Sequence, residues 1–415
     1  MSNLSVKSLW IYGVVIAAYL GVAVSYSKLY LIHLFLGLGP FFFYQSLRSK
    51  LLIKDFIQKN WIFLFWLGYL GLSTLWAEQP RSALSYMIMV ILGVLTALSI
   101  SLEKGNTKTI FKILGWLSVI SLILGILESF TSFRYPISKY SQLLPYFKKA
   151  IIETDASVPY PTSFFWTANN FALMLLISLP FYSLLKKRWV EIVLWLVSIL
   201  LILKASSRGI LAIAGLYFCF RLGALLLNGK NKKKIILTFF AALLIFLPVT
   251  YKSLSEDNIL ELISVKDVIH KQITFYTTMI MDENPNPQPR TRREEMLFHT
   301  LNLWKEHKFF GSGPGQLQGK SASFNGAPLD LATPHHYWAE LLCYGGIFFI
   351  SVLFFGFFTI LRRLWKLSST QSKVAFEALI LFIIAAPASS TLVYFFPAWL
   401  FLGLINKMSY EKFEN

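Results

Sequence analysis

Acidic residues are scarce in this chain: 21 Asp and Glu stand against 39 Lys and Arg, and charged residues of both signs fill only 14% of 415 positions. With 55% of residues hydrophobic, this is not the balance of a soluble protein, in which about a quarter of residues are charged. Cysteine is equally sparse. Cys219 and Cys343 both fall in apolar stretches, so neither a disulfide framework nor a thiolate metal site is supported. The chain also lacks a Walker loop, a nucleophile elbow, an HExxH and any spaced carboxylate cluster suited to a divalent cation. No cofactor and no metal are expected, and no internal repeat or low-complexity tract is visible.

What the chain has instead is apolar runs almost end to end, each near the roughly 20 residues that a helix needs to cross a hydrocarbon core about 30 Å thick. A closed barrel would need alternating strands of about ten residues, whereas 235–250 is continuously apolar. The fold class expected is therefore all-α, a polytopic membrane protein with the lipid bilayer as its main solvent. The formal charge of +18 raises nucleic acid as a partner. Basic residues in short cytoplasmic loops explain the charge better, and no nucleic-acid partner is expected.

Spans are expected near 9–26, 29–46, 60–76, 83–101, 109–127, 165–184, 188–204, 209–228, 235–251, 337–361, 374–390 and 391–406, about twelve in all. The run 9–24 lacks a small-residue cleavage site and is expected to be the first span, not a signal peptide. Basic residues then fall in alternate loops: Arg48, Lys50, Lys54 and Lys59; Lys104, Lys108 and Lys112; Lys186, Lys187 and Arg188; Lys230 and Lys232 to Lys234; Arg362, Arg363, Lys366 and Lys373; Lys407 and Lys412. That bias places both termini in the cytoplasm. The chain divides into transmembrane helices over 1–251, a large helical outer loop over 252–336 between spans nine and ten, and the last three spans with the C-terminus over 337–415.

Two substantial segments remain for the outer face, 128–164 and 252–336. The second contains a Pro-rich joint, Asn284-Pro285-Asn286-Pro287-Gln288-Pro289, which predicts an extended spacer. After it, Met296, Leu297, Thr300, Leu301 and Trp304 recur at helical spacing and predict one apolar stripe. Gly311-Ser312-Gly313-Pro314-Gly315 then predicts a turn.

The chemistry that the outer side offers is arginine and histidine. A guanidinium keeps its charge and presents a planar fork of donors, which suits a diphosphate held without metal. A histidine near its ordinary pKa can take a proton from an attacking hydroxyl. Arg208 lies in the short Ser206-Ser207-Arg208-Gly209 connection. Arg293 opens the loop helix beside Arg290 and Arg292, and His335-His336 precede the tenth span. Bland readings stand beside these: Arg208 as an interfacial arginine reaching for headgroups, Arg293 as part of a solvated face, and the two histidines as helix-start residues after Pro334. His33 reads as a satisfied bundle histidine, and His270, His299 and His307 as surface or packing residues.

Taken in order, these segments resemble the O-antigen ligase and polymerase family of membrane glycosyltransferases. Residues 73–83 resemble the family's first outer loop, and Thr167-Ala168-Asn169-Asn170 its Asn-bearing start to a middle span, with Ala168 where proline is usual. Ser206-Ser207-Arg208-Gly209 resembles its short arginine motif. Arg293-Glu294-Glu295 followed by Gly311-Ser312-Gly313 resembles its Arg-helix-Gly-x-Gly pattern, with His335 at the catalytic histidine and Gly346 at the matching distance downstream. His336 stands where Asn, Ser or Gln is usual, and Phe349 where a second glycine is usual.

The resemblance implies a metal-independent, inverting transferase on the outer face of a bacterial cytoplasmic membrane. Its donor would be an undecaprenyl-diphosphate-linked glycan, and its acceptor a glycolipid or glycan, either a lipid A core or a teichoic-acid-type anchor. It implies His335 or His336 as catalytic base, Arg208, Arg293 and Arg81 as diphosphate ligands, and Asn169 and Arg292 as further substrate contacts. Ligation is the expected reaction, with repeat-unit polymerisation as the alternative within the family. A non-catalytic transporter of lipid-linked saccharides is the alternative outside it.

Overall fold

The computed structural model describes residues 5–26, 29–103, 107–131, 133, 160–185, 187–228, 292–318, 321–324, 327–330, 336–367, 369–389 and 391–411. The expected ninth span at 235–251, the Asn-Pro joint, Arg290 and His335 lie outside the described residues. Within them the fold is all-α apart from two short hairpins. In chain order the helices are α1 (Val6–Leu20), α2 (Leu31–Gly37), α3 (Gly39–Ser46), α4 (Lys50–Ser73), α5 (Pro80–Ser101), α6 (Thr107–Phe130) and α7 (Ala168–Ser178). They continue with α8 (Arg188–Lys204), α9 (Arg208–Asn228), α10 (Arg292–Glu306), α11 (Tyr337–Lys366), α12 (Thr370–Ala385) and α13 (Phe396–Met408). Strands β1 (Ser25–Tyr26) and β2 (Leu29–Tyr30) pair antiparallel before α2, and β3 (Ser321–Phe324) and β4 (Ala327–Asp330) pair antiparallel before α11.

Helix starts follow local chemistry. Ser5, Ser49, Thr167 and Ser369 each accept a backbone N–H of the first turn, the usual N-cap bond, and prolines open α3, α5 and α13, where a missing N–H costs nothing. Among the described residues four stretches are long and apolar enough to cross a membrane: Pro80–Ser101, Thr109–Phe130, Tyr337–Lys366 and Thr370–Ala388. Val6–Leu20, Leu31–Ser46 and Ala168–Leu184 are shorter apolar helical stretches. These helices point to an integral membrane protein.

Several expected boundaries move. The span at 29–46 is broken at Leu38, because Pro40 lacks the N–H that a continuous helix would use. The basic segment is helical from Lys50 onward where a loop was expected. Ser49 caps it, Lys59 pairs with Asp55 at 2.7 Å, and the helix leaves regular geometry only at Asn60 (φ −113°, ψ 16°). The stretch expected to span 391–406 contains α13, whose 13 residues rise only about 20 Å. Every residue of α13 is buried, so it is a core helix, apolar on all sides. It lies along α5, with Trp399 over Gly93, where an added Cβ would come within 2.3 Å of the indole.

Side-chain contacts gather the helix ends into two groups. At one end Asn406 donates to Lys59 O (3.1 Å) and Asn60 Oδ1 (3.2 Å), Lys407 donates to Glu103 O (2.8 Å), and Arg363 bonds the Tyr410 hydroxyl. The other group joins 69–86, 307–318, 336–346 and 389–394, and holds Arg81 and His336.

Candidate functional site

The framework of this second end is a backbone exchange between α11 and the turn after α10. In a regular helix the carbonyls of Cys343 and Tyr344 would accept from Ile347 and Phe348. Gly346 breaks that register (φ 70°, ψ −178°). Instead, the N–H groups of Ser312 and Gly313 donate to Cys343 O (2.9 Å) and Tyr344 O (3.1 Å). The released N–H groups of Ile347 and Phe348 donate to Lys308 O (3.1 Å) and Phe309 O (3.3 Å). Four backbone groups that the kink would orphan are thereby satisfied in a setting where an unmet one costs several kcal/mol.

The contact is too close for side chains. A Cβ on Gly346 would stand 2.2 Å from Phe309 O, and one on Gly311 (φ 74°) would stand 2.3 Å from Tyr344 O. The opposite side of the turn lies on the loop between α4 and α5. The backbone N–H of Gln79 donates to Gln316 Oε1 (2.9 Å), and Trp76 Nε1 donates to Gly311 O (3.1 Å). The Tyr69 hydroxyl lies 3.1 Å from Phe310 O and 2.9 Å from Gly345 O and can donate to either.

This interlock brings three candidate segments together. Arg81 is exposed in the first turn of α5, two residues from Gln79. α10 packs on the first turns of α11 through Leu297 and Leu301 against Ala339 and Leu342, which sets Arg293, exposed, about 6 Å of helix rise beyond that contact. The expected stripe is the buried face: Met296, Leu297, Thr300 and Leu301 are buried and Trp304 is partly so. Of Arg292 only the helical backbone is described.

Arg208 joins from a different side. It is exposed at the start of α9, after a left-handed turn at Ser206 (φ 52°), and its neighbour Gly209 faces Ala388 at van der Waals distance. Nearby, Ser389 Oγ donates to Asn170 Oδ1 (2.7 Å). The asparagine that joins these elements is thus Asn170, buried, whereas Asn169 beside it is only partly covered and has no such bond described.

His336 is the N-cap of α11. Its Nδ1 accepts the Ala339 N–H (3.1 Å), so the neutral ring carries its proton on Nε2, and burial pushes its pKa down to about 4. The nitrogen able to accept a proton is already committed to the helix end. His299 pairs with Glu295 at 3.0 Å and His307 lies 3.9 Å from Glu78, both on the surface of this end. His33 accepts the Tyr30 N–H through Nδ1 (3.1 Å), while its Nε2 is buried without a bond, so the bundle satisfies only half of it.

Sequence reasoning missed Glu340 and Tyr86. Glu340 is fully buried one turn after His336, and its Oε1 accepts the Tyr86 hydroxyl (3.0 Å). The signal was a carboxylate inside an apolar segment of helix length, which is a functional hint by default. Among the described residues no group of three or more His, Cys, Asp or Glu could hold a metal ion. A cavity of about 520 Å³ beside this site is lined by Trp76, Glu306 to Phe310 and Gly311, and Arg81, Arg208 and Arg293 are not among its lining residues.

No family model matches the chain. It is 23% identical over 363 residues to the teichuronic acid biosynthesis protein TuaE of Bacillus subtilis strain 168, an alignment that covers 83% of this chain and 70% of that protein. The chain is thus a distant homologue of a teichuronic acid biosynthesis protein.

Proposed function

We propose that the chain is a membrane glycosyltransferase of cell-envelope polysaccharide synthesis, taking its glycan from a polyprenyl diphosphate on the outer face of the cytoplasmic membrane. The observation that supports this most is the interlock around Gly311 and Gly346, which sets the starts of α5, α10 and α11 at one end of an apolar bundle. Those starts carry Arg81, Arg293 and His336, which His335 precedes in sequence.

In the proposed reaction the acceptor hydroxyl oxygen attacks the anomeric carbon, the bond from that carbon to the diphosphate oxygen breaks, and configuration inverts. His335 takes the hydroxyl proton, since His336 already spends its Nδ1 on the helix cap. Arg208, Arg293 and Arg81 hold the departing diphosphate, whose growing charge meets planar donors in a medium less polarisable than water. Arg292 and Asn169 contact the glycan. The membrane places both termini in the cytoplasm, as the alternation of basic loops supports.

Ligation to a glycolipid or glycan anchor is the first reading, because one dominant outer loop carries both Arg293 and the histidine pair. Repeat-unit polymerisation is the second; the teichuronic acid biosynthesis relative favours a wall polysaccharide over a lipid A core as the product. Purified protein given polyprenyl-diphosphate glycan alone, in detergent with EDTA, separates them. A ligase leaves the donor unchanged until acceptor is added; growth in repeat number without acceptor establishes the polymerase. Consumption of donor in neither case contradicts both.

A further inference from the structure

Glu340 stands where a chain selected for stability alone would place an apolar side chain. It is fully buried, and among the described residues no ion pair reaches it. Burying a carboxyl without a cation is costly, so its retention calls for a return elsewhere.

Its neighbours show where that return lies. Tyr86, which donates to it at 3.0 Å, sits on α5 five residues after Arg81. Thr391, a second polar neighbour, belongs to the connection between α12 and α13, two residues from Ser389, which holds Asn170, while Glu340 Oε2 is buried with no hydrogen bond among the described residues. Tyr86 also meets Tyr344 edge to face (4.9 Å, 78°) and Tyr394 (6.5 Å, 86°), and the Tyr394 hydroxyl accepts from Gln318 of the glycine turn (3.2 Å). Glu340 itself rides on the first turn of α11, its N–H bonded to His336 O (3.0 Å). One carboxyl therefore reaches the helix of Arg81 through Tyr86, the connection facing Arg208's helix beside Thr391, the helix start that bears His336, and, through Tyr86 and Tyr394 in turn, the segment after Arg293's helix.

We propose that Glu340 is a positioning residue: through Tyr86 and Thr391 it fixes the start of α11, where His336 is the cap, relative to the start of α5, which bears Arg81. The proposal rests on the glycosyl-transfer reading for its purpose, but the brace itself is a physical object that can be measured without turnover. It acts by accepting hydrogen bonds, so an amide can replace it and a methyl cannot.

The test uses the full-length protein in detergent as wild type, Glu340→Gln, Glu340→Ala, Tyr86→Phe and the double variant Tyr86→Phe/Glu340→Ala. Hydrogen–deuterium exchange without substrate is expected to rise about tenfold at the start of α11 and of α5 in Glu340→Ala and Tyr86→Phe, and to stay at wild-type rates in Glu340→Gln and along α13. Unchanged exchange at both helix starts, or a rise spread over the whole bundle, overturns the brace.

Turnover is the second readout. Glu340→Ala and Tyr86→Phe are expected to lower kcat about tenfold with the donor KM unchanged, and the double variant to be no slower than either alone. Losses that multiply, or a Gln variant as slow as the Ala variant, overturn the proposal. A wild type that forms no glycosidic bond sinks the transfer reading, and the exchange measurement still decides the brace.

Discussion

At one end of the bundle the polar groups answer one another. Asn60 Oδ1 accepts from Ser101 and Asn406, Asn60 Nδ2 donates to Phe56 O, and Lys407 is held between Glu103 O and Glu411. At the other end the buried backbone is as fully satisfied, through the glycine turn, yet Arg81, Arg208 and Arg293 are exposed around it. Exposed cations stand at the first end too, Arg48, Lys50 and Lys54 among them, but there the buried polar side chains tie helix to helix. The second end builds its frame from backbone and tyrosine, with the candidate arginines exposed near it. Substitutions at the two ends should therefore fail in different ways.

The largest effect expected is chemical. Arg208→Ala or Arg293→Ala should lower kcat about 10²- to 10³-fold, the usual cost of losing one donor to a developing anion, while the unfolding temperature in detergent stays that of wild type. Unfolding and turnover measured on one preparation check both halves. Next comes the frame: Gly346→Ala must place a Cβ 2.2 Å from Phe309 O at a positive φ, and should cost roughly 2–4 kcal/mol of stability and remove transfer with it. At the opposite end, Asn406→Ala removes the donor to Lys59 O and one of the two donors to Asn60 Oδ1 and should cost about 1–3 kcal/mol, yet leave turnover per folded molecule unchanged. Equal activity losses from Asn406→Ala and Arg293→Ala would erase the distinction between the ends.

The smallest effect is in pH. The His336 pKa of about 4 lies below its ordinary 6.5, so the folded state resists the proton. The stability it contributes is complete above about pH 6.5 and is lost as pH falls toward 4, with a slope of at most about 1.4 kcal/mol per pH unit. His336→Asn keeps a good N-cap and does not titrate. Unfolding curves at pH 7 and pH 5 should therefore show a smaller acid loss for the variant than for wild type.

Much of this was legible before any coordinates. The apolar runs predict helices, the stripe from Met296 to Trp304 is the covered face of α10, and the run of glycines is a turn. These are local signals, readable from periodicity and turn chemistry. What stayed hidden depends on distant partners. Gly346 could be seen as spaced from His335, but its exchange of hydrogen bonds with 308–313 involves residues more than 30 positions away. Asn169 and Asn170 differ by one helical step, and which of them meets Ser389 is decided by the rotation of α7. The capping role of His336 was hidden too, because a histidine that accepts an N–H at the start of a helix looks in sequence like any other.

The measurement that bears most directly on the account is glycan transfer from a polyprenyl-diphosphate donor in the presence of EDTA, comparing wild type with His335→Ala and His336→Asn. The account predicts that His335→Ala loses about 10²- to 10⁴-fold, the usual reach of a general base, while His336→Asn stays within about threefold of wild type. A His335→Ala protein that still transfers, or a His336→Asn protein that folds and does not, would contradict it.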